Sequence, residues 1–246
     1  MSKVYADKIE PRDSGTDVTI GTSSNTVTLA GNIIQGANTV KDSGGNTLWV
    51  SDGAGGISSG NIALTGSLKL LQTQTVTSGV ATVAFTTGIN SDYDAYCFKY
   101  MDVNIATNDQ RLAFQVNAPG NRGYRETITS TSFNTLHSEA DDTGFEYRTS
   151  EEQNQGTDEQ PITLNQTNAA DAAAAGELWL FKPSGTTYVK HFISDSTCMG
   201  VHSGSACASR MFAAGYVNMT AAITMLQFRV FSGEIDTGTF KMYGLL

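Results

Sequence analysis

Ile223-Thr-Met-Leu-Gln-Phe-Arg-Val-Phe-Ser-Gly-Glu-Ile-Asp-Thr-Gly-Thr-Phe-Lys-Met-Tyr-Gly-Leu-Leu246 closes the chain, and its reading decides the fold. Large apolar residues alternate with polar ones in Phe228-Arg-Val-Phe231 and again in Phe240-Lys-Met-Tyr243. Side chains of a strand point to opposite faces in turn, so this period of two predicts strands with one face packed inward. Asp236-Thr-Gly238 lies between the two runs and reads as a hairpin turn.

Upstream, the same texture predicts further strands over Met211 to Val217, Thr187 to Ser194 and Glu177 to Lys182. Pro183-Ser-Gly-Thr186 marks a second hairpin. Earlier still, Tyr124 to Ser130, Leu112 to Ala118, Ala95 to Ala106, Val80 to Thr87 and Ser67 to Thr77 are rich in Val, Thr, Phe and Tyr and bounded by Gly, Asn, Asp or Pro. About ten such strands with short turns imply two packed antiparallel sheets, a jelly-roll-like β-sandwich over residues 67–246. The one helical candidate, Asn168 to Ala175, is too short to hold alone and reads as a loop or single turn.

Composition agrees with an all-β chain. Charged residues are 16 % of the 246, with 25 Gly and 4 Pro. Ser, Thr and Asn compete for backbone hydrogen bonds, and Gly carries an entropic cost in helices. The net charge of −9 without clustered Lys or Arg argues against binding nucleic acid. No stretch approaches the roughly 20 apolar residues of a membrane span, and the N-terminus lacks the apolar run of a secretory signal. Folding in a cytoplasm is the expectation. The three cysteines, Cys97, Cys198 and Cys207, fit that setting better than a disulfide framework.

Residues 1–66 have a different texture. They hold 11 of the 25 glycines but only Tyr5 and Trp49 of the 22 aromatics. Apolar residues come in short alternating bursts at Val18 and Ile20, Val27 and Leu29, Leu48 and Val50, and Ile62 and Leu64. Turn-like clusters such as Asp42-Ser-Gly-Gly-Asn46 and Asp52-Gly-Ala-Gly-Gly56 separate them. Strands of three or four residues do not bury enough surface to offset chain entropy. The segment is therefore either disordered or wound around sister copies, and the alternation favours the second. Val18, Ile20, Val27, Leu29, Leu48 and Val50 are then the shared core of a stem, with spacings too uneven for a true repeat.

The opening Lys3-Val-Tyr-Ala-Asp-Lys-Ile-Glu-Pro11, with Ser14-Gly-Thr-Asp-Val-Thr-Ile-Gly21 and Thr26-Val-Thr-Leu-Ala-Gly31, resembles the starts of tail-fibre-like virion proteins of marine podoviruses and related phages. The ending from Phe231 to Gly244 resembles the closing hairpin of a β-sandwich found in phage structural proteins. The resemblance covers about a quarter of the chain. It implies a homotrimer in a virion, anchored to other tail, neck or capsid proteins through the N-terminus, with Lys3, Val4, Tyr5 and Ile9 the anchoring candidates. The sandwich would then face outward, toward a host-surface glycan or protein. The chain is short for a receptor-binding fibre, so a head fibre or capsid decoration protein is the alternative.

Candidate chemistry is sparse. Cys198, His202 and Cys207 are zinc-ligand types, but no second Cys or His pair is near; His191, the remaining candidate, falls in a predicted strand. The plain reading is a Gly/Ser-rich loop. No Gly-x-Ser-x-Gly elbow or phosphate-binding glycine pattern occurs, and His137, His191 and His202 have no partner marked by local motif. Glu139, Asp141, Asp142, Glu146, Glu151, Glu152, Asp158 and Glu159 form an acidic stretch with Arg148 as its one cation. Paired carboxylates cleave glycosides and clustered ones bind calcium. Without EF-hand spacing, a solvated or subunit-contacting loop fits best, and a polysaccharide depolymerase is the minor enzymatic rival. The expectation is a non-enzymatic protein with no cofactor.

Overall fold

The computed structural model describes residues 39–41, 47–51, 57–60, 68–120 and 123–245. The chain divides into two compact units, Met1–Asn61 and Ile62–Leu246. Every regular element in the described residues is a strand, and every pairing is antiparallel.

In the first unit, β1 (Thr39–Lys41), β2 (Thr47–Ser51) and β3 (Ile57–Gly60) form a three-stranded sheet with β2 at its centre. Leu48, Trp49 and Val50 are half-buried. Trp49 stands opposite Val40 on one side and Gly60 on the other.

The second unit holds thirteen strands: β4 (Leu68–Val76), β5 (Thr82–Phe85), β6 (Ala95–Ile105), β7 (Leu112–Asn117), β8 (Ile128–Ser138), β9 (Thr143–Tyr147), β10 (Asn154–Gly156), β11 (Gln160–Pro161), β12 (Ala174–Phe181), β13 (Lys190–His202), β14 (Ser205–Val217), β15 (Met225–Val230) and β16 (Ile235–Leu245). Nine form one sheet in the order β10-β8-β14-β13-β12-β6-β16-β4, with β9 on β8. Four form another in the order β11-β7-β15-β5.

Aromatic rings join the two sheets. Phe98, Tyr100 and Phe240 of the larger sheet meet Phe85 and Phe228 of the smaller, with centroids 5.2–6.0 Å apart. Phe114 of β7 meets Phe192 of β13 at 5.0 Å. All seven are buried. Each such side chain contributes roughly 1.5–3 kcal/mol by leaving water, and tilted or edge-on ring pairs add about 0.5–1.5 kcal/mol. These contacts fix the smaller sheet against β6, β16 and the start of β13 in the larger.

Three expectations need correction. The closing residues are not a hairpin, because β15 pairs within the smaller sheet while β16 pairs β6 and β4 in the larger. Periodicity shows which residues face inward, but not which sheet a strand joins. The reversal sits at 231–234, around Gly233 at φ +81°, while Asp236 to Gly238 lies inside β16 where its register against β6 shifts twice. Second, the strand expected at Tyr124 begins at Ile128 and runs to Ser138, through Ser, Thr and Asn where no apolar alternation marks it. Third, β13 and β14 run thirteen residues each, well beyond the expected segments. The Pro183-Ser-Gly-Thr186 reversal does join antiparallel neighbours, β12 and β13.

Candidate functional site

Lys3, Val4, Tyr5, Ile9, Val18, Ile20, Val27 and Leu29 lie outside the described residues. Leu48 and Val50 lie in β2, whose described partners are strands of the same chain.

The zinc-like spacing Cys198, His202, Cys207 is the geometry of a hairpin rather than of a loop. β13 and β14 pair along their whole length around a turn at Ser203 and Gly204, both with positive φ. Cys198 stands opposite Ser209 and Cys207 opposite Gly200, all four buried. Cys198 Sγ points at the Leu164 carbonyl at 3.8 Å, and Cys207 Sγ lies 3.5 Å from Ser209 Oγ. Burial pushes the Cys198 thiol up to about 12, which disfavours the thiolate a metal needs. Among the described residues, no three His, Cys, Asp or Glu side chains come together as a metal site.

The acidic stretch is largely strand and turn. Glu139, Asp141, Asp142, Glu146 and Asp158 are exposed, as a solvated segment requires. Glu151 differs: it is fully buried. Arg111 Nη1 donates to its Oε2 at 2.5 Å and Arg148 Nη2 to its Oε1 at 3.1 Å. Arg111 lies 40 residues away in sequence, which hides the pair from any local reading. Around it, Gln160 Nε2 donates to the Glu151 carbonyl at 2.9 Å, and Ser130 Oγ to Gln160 Oε1 at 2.5 Å. A carboxylate whose two oxygens are both taken by guanidiniums suits support of a sheet better than contact with a substrate. Elsewhere, Glu159 accepts from Arg229 and Glu152 from the Tyr147 hydroxyl.

Sequence reasoning also missed Lys190, which is 1 % exposed. Its ammonium donates to the Tyr188, Met219 and Thr220 carbonyls at 2.8–3.3 Å. Burial holds its pKa below the usual range. The cage ties the start of β13 to the β14–β15 connection.

Two surface features remain. A hollow of about 670 Å³ opens beside the β13–β14 turn, floored by small residues including Ala175 and Ala208 and rimmed by Asp102, His137, Glu139 and Asp141. His137 Nε2 lies 3.2 Å from Asp141 Oδ1.

The second feature is the outward face of the larger sheet, opposite the apolar core. Register and alternation place Trp179 of β12, His191 and Ile193 of β13, Phe212 and Tyr216 of β14, Phe133 of β8, and Phe145 and Tyr147 of β9 on this face. Phe133 stacks on Phe212 at 5.2 Å and meets Phe145 at 5.6 Å. Phe145 is 73 % exposed and Ile193 39 %. Charges on the face pair with one another. Lys99 Nζ donates to Glu177 Oε2 at 2.8 Å, and Arg210 Nε and Nη2 donate to the two Asp195 oxygens at 2.8 and 2.5 Å. These cations hold the Glu177 and Asp195 carboxyls below the ordinary range. The alternation of Phe192 inward with Ile193 outward, and of Met211 with Phe212, was the available signal. A strand apolar on both faces is covered on both faces, or offers one for contact.

Comparison of the chain with protein-family models, with curated proteins and with solved structures finds no match.

Proposed function

We propose that this chain is a non-enzymatic structural protein of a bacteriophage particle, a tail-fibre-like homotrimeric appendage with residues 1–66 as particle-anchoring stem and 67–246 as head. The observation that carries it is strand connectivity. With β8–β10 and β13–β14 set aside, the larger sheet keeps the order β4-β16-β6-β12 and the smaller is β5-β15-β7-β11. Along the chain, β4 to β5 to β6 to β7 cross between sheets at every step; after β11, so do β12, β15 and β16. This is the order of an eight-stranded jelly-roll sandwich, an architecture used by viral capsid and lectin domains. The set-aside strands extend one sheet sideways without breaking that order.

A fold by itself names no function. The second support is the texture of the N-terminal segment, short apolar bursts in a Gly-rich stretch, which resembles the openings of phage appendage proteins. In such an arrangement the stem takes its interior from sister chains, so folding and assembly are coupled. The head then presents its surface to a host glycan or protein.

Two measurements test the reading. Mass in solution is expected near three times 26.1 kDa; a monodisperse monomer contradicts it. Antibody labelling of intact particles is expected to decorate the tail. Decoration of the capsid surface transfers the chain to the head-fibre or decoration class, and undecorated particles overturn the virion assignment.

A further inference from the structure

We propose that the outward face of β12, β13, β14, β8 and β9 is the surface through which the heads of neighbouring copies of this chain touch. The inference rests on the homo-oligomeric reading above and adds to it the location of a contact outside the stem.

Chemistry is the first argument. Trp179, Ile193, Phe212, Phe133 and Phe145 stand on one side of adjoining strands, three of them joined by ring contacts. Contact cores are enriched in aromatics and depleted in unpaired charge, whereas a surface facing only water has no use for such a patch.

Charge selects the partner. The chain carries a net −9, so two copies repel across most of their surfaces. On this face Arg210 offsets Asp195 and Lys99 of the adjoining β6 offsets Glu177, while Asp141 and Glu152 stand at its β8–β9 end against His137 and Tyr147. A face whose centre is charge-balanced on an acidic protein suits a second copy of the same acidic protein, because bringing two such centres together opposes no net charge.

Area is the third argument. Strands of 8, 13, 13, 11 and 5 residues lie side by side here. At about 3.3 Å per residue and about 4.8 Å between strands, their footprint is on the order of 800 Å². A standard stable interface takes about 800 Å² from each partner. The face is thus large enough for one specific contact.

The test uses the full-length protein, with p-benzoylphenylalanine placed at 193 or 212 and, as control, at 188. Tyr188 is 80 % exposed in the β12–β13 connection. Solution mass is measured beside the photoproducts. Expected are an oligomer by mass and covalent chain-to-chain dimers from 193 and 212, with at least tenfold less from 188. An oligomer by mass without those dimers overturns the proposed face and leaves the oligomeric reading standing. A monomer by mass overturns both. Photoproducts joining the face only to residues 1–61 of the same chain, or to an added host glycan, overturn the proposal by showing another occupant. As a second check, Phe212→Asp with Ile193→Asp is expected to weaken self-association at least tenfold while the far-ultraviolet spectrum stays that of a β protein. A folded double variant that associates like the parent also overturns it.

Discussion

The nine-stranded sheet is backed in two different ways. Across β4, β16, β6 and β12, its inner face meets rings and aliphatic side chains of the smaller sheet: Phe85, Phe98, Phe228 and Phe240 are all buried there. Across β13, β14 and β8, the inner face mixes apolar Phe192, Met211, Val217 and Ile128 with Ser194, Ser196, Ser209, Ser132 and Asn134, all buried. The covering there includes Glu151 and Gln160, each fully buried. One half gains stability by removing apolar area from water. The other is equally dry and holds, beside its apolar residues, polar groups that depend on partners. The comparison separates two ways of closing a sheet: the first tolerates changes of shape poorly, the second tolerates loss of a partner poorly.

The largest effect is expected at Phe228, whose ring meets Phe85, Phe98, Tyr100 and Phe240. Phe228→Ala leaves a cavity where the sheets join and is expected to cost about 3–5 kcal/mol in guanidinium denaturation. A loss under about 1 kcal/mol would mean that the ring cluster does not hold the sheets together.

Next is Glu151→Ala in the polar half. It strands Arg111 and Arg148 beside a cavity and is expected to cost about 2–3 kcal/mol in the same titration. This lies below the range for fully buried pairs because Arg111 and Arg148 keep 29 % and 24 % of their side-chain surface in water. An unchanged midpoint would show that the β8 side stands without its charged support, and would break the comparison.

Tyr100 stands on the border. Its ring packs against Phe228 and Phe240, and its hydroxyl bonds Ser196 and approaches Ser194 at 3.4 Å. Tyr100→Phe keeps the ring and removes the hydroxyl. The expected loss is about 1 kcal/mol, since Ser194 retains the Glu177 carbonyl at 3.0 Å. A loss as large as that of Phe228→Ala would place the polar network, not the rings, at the centre of the fold.

The same contrast explains what the sequence made legible. Strands of the apolar half declare themselves: Phe98, Tyr100, Phe228 and Phe240 stand at alternate positions among β-formers, and an all-β chain follows directly. β8 hides because its inward residues, Ser132, Asn134 and Ser138, are polar like its outward threonines, so no period is visible. The first part of β14 hides for the same reason, and its Cys207 reads as a ligand when the strand is missed. Sheet membership was not legible even for the clearest strands. β15 and β16 follow one another yet bond to different partners, a choice made by contacts distant in sequence. The Arg111 to Glu151 pair is invisible on the same ground.

Alkaline pH gives the smallest effect, absent near neutrality, and probes whether both sides of the larger sheet exclude water. Burial pushes the thiols of Cys97, on the outer side of β6 beside Trp179, and Cys198, on the inner side of β13, up to about 12 from an ordinary value near 9. A thiol raised on folding lends stability that is complete below its unfolded value and is lost as pH rises through the folded one. Stability is therefore expected to be level to about pH 9 and to fall from there toward 12. Lys190 acts with the opposite sign. Its burial lowers the folded value, so the penalty of a buried ammonium fades as pH climbs toward its unfolded value near 10.5. Lys190→Met, although less stable throughout for want of its carbonyl bonds, should then decline more steeply than the parent as pH rises toward 10.5 and run parallel above it. Denaturation midpoints taken every half unit of pH read both slopes. Iodoacetamide adds the local check: in the folded protein at pH 8.5, Cys97 and Cys198 should react at least a hundredfold more slowly than after unfolding. Rapid labelling of Cys198 alone would show that the inner side of β13 admits water where the outer side of β6 does not.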